Sequence, residues 1–272
     1  MENCELFGLL DIPEEVIDRL NEYGERRKGA LPQDLCRKLL SRGEWEQGVK
    51  DLQAILAEDT DGIHILWEQL NIVCGYSYDE YVRRGIGIDV FVDTMKFCTR
   101  FLREHYAQYG VYKYVWAWWF PRQISLSEFR IGALEYEFAD GEDREIAVHI
   151  PSDADMDKQS VQESLRDFCV FRDTFFPGWQ GVRLTCDSWM LMPQLRGFLG
   201  KDSHIVAFQD LFEIDSVDGD ATWYMGWIYP GYEKIDDSLP ERTVLQRELK
   251  KYLLAGNRFG IAKGHIVRLP GK

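Results

Sequence analysis

The sequence predicts an α/β protein of the α+β kind: a helical N-terminal domain over residues 1–111, then a mixed β-sheet flanked by helices over residues 112–272. Apolar residues recur at helical spacing through roughly the first hundred positions, and from "VYKYVWAWWF" onward the dominant period is two. The alternating segments are interrupted by long helical patterns, the arrangement of a sheet covered by helices.

In the first domain, "PEEVIDRLNEYGERR" gathers Val16, Ile17, Leu20 and Tyr23 on one face, with Pro13 and glutamates at its start. "LPQDLCRKLLSRG" repeats the form, with Leu35, Leu39 and Leu40 apolar and Gly43 as a C-terminal cap. "EWEQGVKDLQAILAED" and "DGIHILWEQLNIVCG" predict further helices. "SYDEYVRRG" opens on a capping-box pattern, Ser77 with Glu80. "IDVFVDTMKFCTRFLREHYAQYG" predicts a long amphipathic helix with Val92, Met95, Phe97, Phe101 and Leu102 inward.

In the second domain, "VYKYVWAWWF" reads as a strand. "ALEYEF" sets Leu134, Tyr136 and Phe138 against Glu135 and Glu137, and "EIAVHIP" sets Ile146, Val148 and Ile150 against Ala147 and His149. "MDKQSVQESLRDFCVFRDTFFPG" is a helix striped by Val161, Leu165, Phe168 and Phe175 and stopped at Pro177–Gly178. A strand "GVRLTCDSWML", a short helix after Pro193, and strands "SHIVAFQDLFEI" and "ATWYMGWIYP" follow. The helix "SLPERTVLQRELKKYLLAG", led by a capping box of Ser238 and Glu241, precedes a last strand "FGIAKGHIVRL". The predicted order from residue 112 is β-β-β-α-β-α-β-β-α-β.

A net charge of −14 argues against nucleic acid, since nothing is gained from counterion release. No stretch reaches the roughly 18 apolar residues of a membrane helix, and the N-terminus lacks the basic start of a signal peptide. The six cysteines form no C-x-x-C and no zinc spacing with histidine, so no metal site is expected. Reduced core thiols point to the cytoplasm of a bacterial-type cell. The P-loop, G-x-G-x-x-G, G-x-S-x-G and H-E-x-x-H patterns are absent.

Several residues carry possible chemistry. His149 faces away from Ile146, Val148 and Ile150, and a histidine near neutrality suits general-base work. Glu135 and Glu137 lie about 7 Å apart on one strand face, which reads as a solvated face or a carboxylate pair. In "CDSW", Cys186 shares a face with Val182 and Leu184 and reads as core, while Asp187 and Ser188 are polar candidates. Asp153, Asp155 and Asp157 read as cap and first-turn residues of the next helix. Trp116, Trp118, Trp223, Trp227 and Tyr229 read as packing or as a sugar platform.

The strand and helix order, with "HIPSDADM", "CDSWML-P-L", "SHIVAFQDLFEI", "GALEYEF" and "LQRELKKYLLAG", resembles a GNAT-like family of bacterial two-domain N-acyltransferases. The resemblance covers essentially the whole chain. It implies a GNAT-like domain whose fourth strand, "EIAVHIP", splays from its fifth, "GVRLTCDSW", to admit the pantetheine arm of acetyl-CoA or another acyl-CoA. Cofactor contacts would then fall on Val148, Ile150, Ser152, Asp153, Met156 and Lys158. The implied reaction is acyl transfer to the amine of a small-molecule acceptor, with His149 as base and Ser188 as donor to the leaving thiolate. Asp187 and Glu135 are the further catalytic candidates.

The turn departs from the family pattern. "SDADMD" has neither the glycines nor the basic residue that normally meet the pyrophosphate. Like charges roughly 5 Å apart at an effective dielectric of about 20 cost about 3 kcal/mol each before screening. A non-catalytic module for a small molecule or peptide, and a carbohydrate-binding protein using the tryptophans, are the alternative readings.

Overall fold

A computed structural model of the protein describes residues 1–141 and 144–268. The chain divides into two compact units, Met1–Ile131 and Gly132–Lys272. The first is helical: α1 (Asn3–Leu9), α2 (Glu14–Arg26), α3 (Gln33–Leu40), α4 (Trp45–Ile55), α5 (Ile63–Ile72), α6 (Tyr78–Arg84), α7 (Ile88–Met95), α8 (Phe97–Tyr109) and α9 (Pro121–Ile124), then the short strand β1 (Glu128–Ile131). Val16, Leu20, Leu35, Leu39, Met95 and Leu102 are buried, so the predicted helical stripes are its core. Asp61 and Asp59 accept from the N–H groups of Ile63 and Ile65 (3.1 and 2.8 Å), satisfying donors that open α5.

The second unit holds β2 (Leu134–Ala139), β3 (Glu145–His149), α10 (Lys158–Phe175), β4 (Leu184–Ser188), α11 (Leu195–Phe198), α12 (His204–Gln209), β5 (Phe212–Asp218), α13 (Tyr224–Ile228), α14 (Val244–Leu254) and β6 (Ile261–Ile266). Its sheet runs β2-β3-β4-β6-β5 and is mixed. β3 pairs antiparallel with β2 and parallel with β4, and β6 pairs antiparallel with both β4 and β5. Leu134, Tyr136, Phe138, Ile146 and Val148 are buried on the sheet's apolar face. There the Tyr136 ring stacks on Phe168 of α10 at 3.8 Å and 4°. Ser164 of α10 accepts the Leu134 N–H (3.2 Å) and shares a 2.8 Å hydrogen bond with the Tyr136 hydroxyl. These contacts fix β2, and with it the carboxylates of its other face.

The helical N-terminal part and the mixed sheet are those the sequence predicts, but several elements differ. "VYKYVWAWWF" is not a strand: Trp116–Phe120 turns into α9, with Trp116 stacked between Phe101 (4.1 Å) and Trp118 (5.4 Å). The first half of "SHIVAFQDLFEI" is α12, and "ATWYMGWIYP" contains α13, whose Tyr224 packs edge-on to Phe259. β1 and α1 were not signalled by any pattern. "EIAVHIP" forms β3, third in chain order as in the predicted order.

Helix ends also depart from the predicted caps. Ser77 lies within a continuous helical run and its hydroxyl donates to the Ile124 carbonyl (2.7 Å). Gly43 sits in a separate turn after Ser41 closes α3. Thr243, not Ser238, caps α14 by accepting the Gln246 N–H. The long predicted helix is interrupted only at Lys96, whose N–H still donates to Val92. The last predicted strand reaches Leu269, which lies outside the described residues; its described part is β6.

Removing the Ser164 hydroxyl leaves the Leu134 N–H and Tyr136 O–H without that partner in the core. Ser164→Ala is expected to cost about 1–3 kcal/mol and, at about 2–4 °C per kcal/mol, to lower the thermal midpoint by several degrees in a circular-dichroism melt.

Candidate active site

The site is built around the way β3 and β4 part. Their parallel ladder holds only Ile146↔Leu184 and Ala147↔Thr185. Beyond it, Val148, His149 and Ile150 continue on one side and Cys186, Asp187 and Ser188 on the other. Each strand stays paired along its outer edge, β3 to β2 as far as His149 and β4 to β6 as far as Ser188. The Ile146 N–H donates to the Arg183 carbonyl (2.9 Å). The period of two therefore turns the main-chain groups of Val148 and Ile150 toward the same, parting edge.

His149 ends β3 beside this opening, half-buried. Its Nε2 lies 3.0 Å from Oε2 of Glu137 on β2. With Nε2–H donating to the carboxylate, the imidazole lone pair is on Nδ1. Glu135 stands opposite His149 in the β2–β3 register. Both glutamates are buried, at 5 and 6% exposure, so they are not the solvated face that alternation alone suggests. Sequence analysis singled out each of the three residues but not the Glu137–His149 pair. That pair needs the hairpin register, which sets Glu137 opposite Ala147 and one diagonal step from His149.

On the other strand, the Ser188 oxygen accepts the Met190 N–H (3.1 Å), fixing the hydroxyl where β4 ends. Asp187 is exposed and stands opposite Lys263 of β6. Partial burial of its carboxyl raises its pKa above the ordinary value, as do Asp218 and Glu145, against the pull of Lys263. Cys186 is buried, and burial pushes its thiol far above the ordinary range, so it is core and not a nucleophile.

The remaining candidates lie in the turn after β3. Ser152, Asp153 and Lys158 are exposed, and Met156 is half-buried. Asp157 is the N-cap of α10 and accepts the Gln159 N–H (2.8 Å). Asp155 accepts from the Ser160 hydroxyl (2.6 Å) and the Asp157 N–H (3.0 Å), which hold its carboxyl below the usual range. The cap reading holds for Asp157 alone: Asp155 braces the turn before it, and no aspartate lies in the first turn of α10. The turn after β3 thus lacks the features that would meet a diphosphate.

Residues 1–126 match the N-acyltransferase N-terminal domain and residues 129–266 the GNAT-like C-terminal domain. Among solved structures, the chain is similar to an acyltransferase in complex with decanoyl-CoA and teicoplanin, at TM-score 0.70 and 21% identity over 99% of this chain and 100% of that one. It is equally similar, with the same values, to an acyltransferase mutant in complex with octanoyl-CoA. An acyltransferase in complex with decanoyl-CoA follows at TM-score 0.65 and 20% identity, over 99% and 100% of the two chains. At these identities the likeness is one of fold. No curated protein matches the chain in sequence.

The raised pKa of Asp187 gives a signed expectation. Its stabilising contribution is fully present below the ordinary carboxylate value and is lost as pH rises through the raised value, so at neutral pH the ionised group weakens the fold. Asp187→Asn is expected to melt above the wild type at pH 8, with the advantage narrowing toward pH 4.5. A lower midpoint at pH 8 contradicts this.

Proposed function

Because the chain belongs to the family that joins an N-acyltransferase N-terminal domain to a GNAT-like C-terminal domain, we propose that it moves an acyl group from a coenzyme A thioester to the amine of a small-molecule acceptor. The observation that carries this reading is the parting of β3 from β4 with the His149–Glu137 pair at the opening. The similar structures are acyltransferases in complex with decanoyl-CoA, octanoyl-CoA and teicoplanin, which supports both the donor and a small-molecule acceptor. No described helix is long and apolar enough to cross a membrane.

In this reading His149 Nδ1 takes a proton from the acceptor amine as its nitrogen attacks the thioester carbonyl carbon. Glu137 holds the ring in one tautomer and stabilises the imidazolium that forms. Main-chain N–H groups on the parting edge of β3 polarise the carbonyl oxygen. Collapse of the tetrahedral intermediate forms the amide and breaks the C–S bond. Ser188 hydrogen-bonds the departing thiolate, which takes up a proton from water.

Thiol release from decanoyl-CoA with a panel of primary amines tests the reading. His149→Ala is expected to lower kcat/KM by about 10²–10⁴-fold while keeping the wild-type circular-dichroism spectrum. Undiminished turnover removes His149 as the base. Absence of amine-dependent thiol release from the wild type favours a binding module, and binding lost in Trp118→Ala favours the carbohydrate reading.

Glu137 acts through His149 and has its own signature. Glu137→Gln is expected to cost about 10–100-fold in kcat/KM and to move the acidic limb of the pH–rate profile to lower pH, because the imidazolium loses its anionic partner. A uniform loss with an unmoved limb means the carboxylate is structural only.

A further inference from the structure

Resting on the acyl-transfer reading, we propose that this protein selects its donor by the acyl-pantetheine arm alone, the N-terminus of α10 being closed to the diphosphate by the protein's own carboxylates. A helix N-terminus binds phosphate because its first N–H groups lack intrahelical partners and its dipole favours an anion. Here part of that requirement is met internally. Asp157 accepts the Gln159 N–H (2.8 Å), and Asp155 accepts the Asp157 N–H (3.0 Å) and the Ser160 hydroxyl (2.6 Å). The Ala154 N–H donates back to the Pro151 carbonyl (3.0 Å). Carboxylate oxygens thus stand where phosphate oxygens would.

Charge and backbone point the same way. Asp155 and Asp157 stand against Lys158 in the turn, and a helix N-terminus offers only about half a unit of positive charge. No glycine lies between Ile150 and Lys158, so side chains line every step of the turn. The end of the β3–β4 seam has the opposite character: past Ala147↔Thr185 no register pair follows, and the Ile150 main chain continues beside that edge, where the uncharged amides of pantetheine would be met without opposing charge. Recognition is therefore divided: the arm is held, and the nucleotide contributes little.

Calorimetric titration of the full chain with CoA, pantetheine and adenosine 3′,5′-bisphosphate tests this without knowledge of the acceptor. The expected result is a CoA dissociation constant within about tenfold of that for pantetheine (about 1.4 kcal/mol), with no binding of the bisphosphate. CoA binding a hundredfold or more tighter than pantetheine, or any saturable binding of the bisphosphate, overturns the proposal. The double variant Asp155→Asn, Asp157→Ser keeps a neutral N-cap, and its fold is checked by circular dichroism. It is expected to tighten CoA binding at least about tenfold (about 1.4 kcal/mol) and to leave pantetheine binding as it was. An unchanged CoA affinity counts against the proposal. If neither CoA nor pantetheine binds, the acyl-thioester reading itself falls and this inference goes with it.

Discussion

β3 and β4 run parallel and share only two register pairs before they separate. Each is held on its far side by a longer antiparallel ladder, β3 by β2 and β4 by β6. The sheet is in effect two zipped pieces joined by a short seam. A buried main-chain N–H or carbonyl left alone costs about 1–3 kcal/mol, so the end of the seam is where the sheet's own pairing stops. Pro151 follows at once, and a residue with no N–H cannot extend the ladder.

The same sheet separates packing from chemistry by its alternation. One face carries Tyr136, Phe138, Ile146 and Val148 and packs on α10 through the Tyr136–Phe168 stack and the Ser164 hydrogen bonds. The other carries Glu135 paired with His149, beside Glu137, on β2 and β3, and Asp187 paired with Lys263 on β4 and β6. A rigid apolar face lets the polar one hold a histidine and a carboxylate at 3.0 Å. A slip of one residue in β2 would turn Glu137 into the core and Tyr136 out of it, so register and chemistry are fixed together.

Much of this was legible in the sequence, and what was not has physical causes. Helical stripes such as Val16–Leu20 and Leu35–Leu39, and the alternation of "ALEYEF" and "EIAVHIP", reflect burial on one face and translate directly into elements. The misread segments are rich in aromatic rings. β-propensity measures fit to a half-buried pleated surface, and a tryptophan finds such a surface equally well off the sheet, as Trp116 does against Phe101. Capping boxes at Ser77 and Ser238 failed because each hydroxyl found another partner, Ile124 and Asp236. His149 and Glu135 could be named from alternation alone. The Glu137–His149 contact could not, because it depends on the pairing of β2 with β3.

The charge of the chain bears differently on the two substrates of an acyl transfer to an amine. A net −14 disfavours the approach of a polyanionic donor and favours that of a protonated amine, most strongly at low ionic strength. An amine drawn in as a cation must lose a proton before its nitrogen can attack, which is the task of a base positioned at the thioester. The carboxylates of the turn after β3 are spent on starting α10.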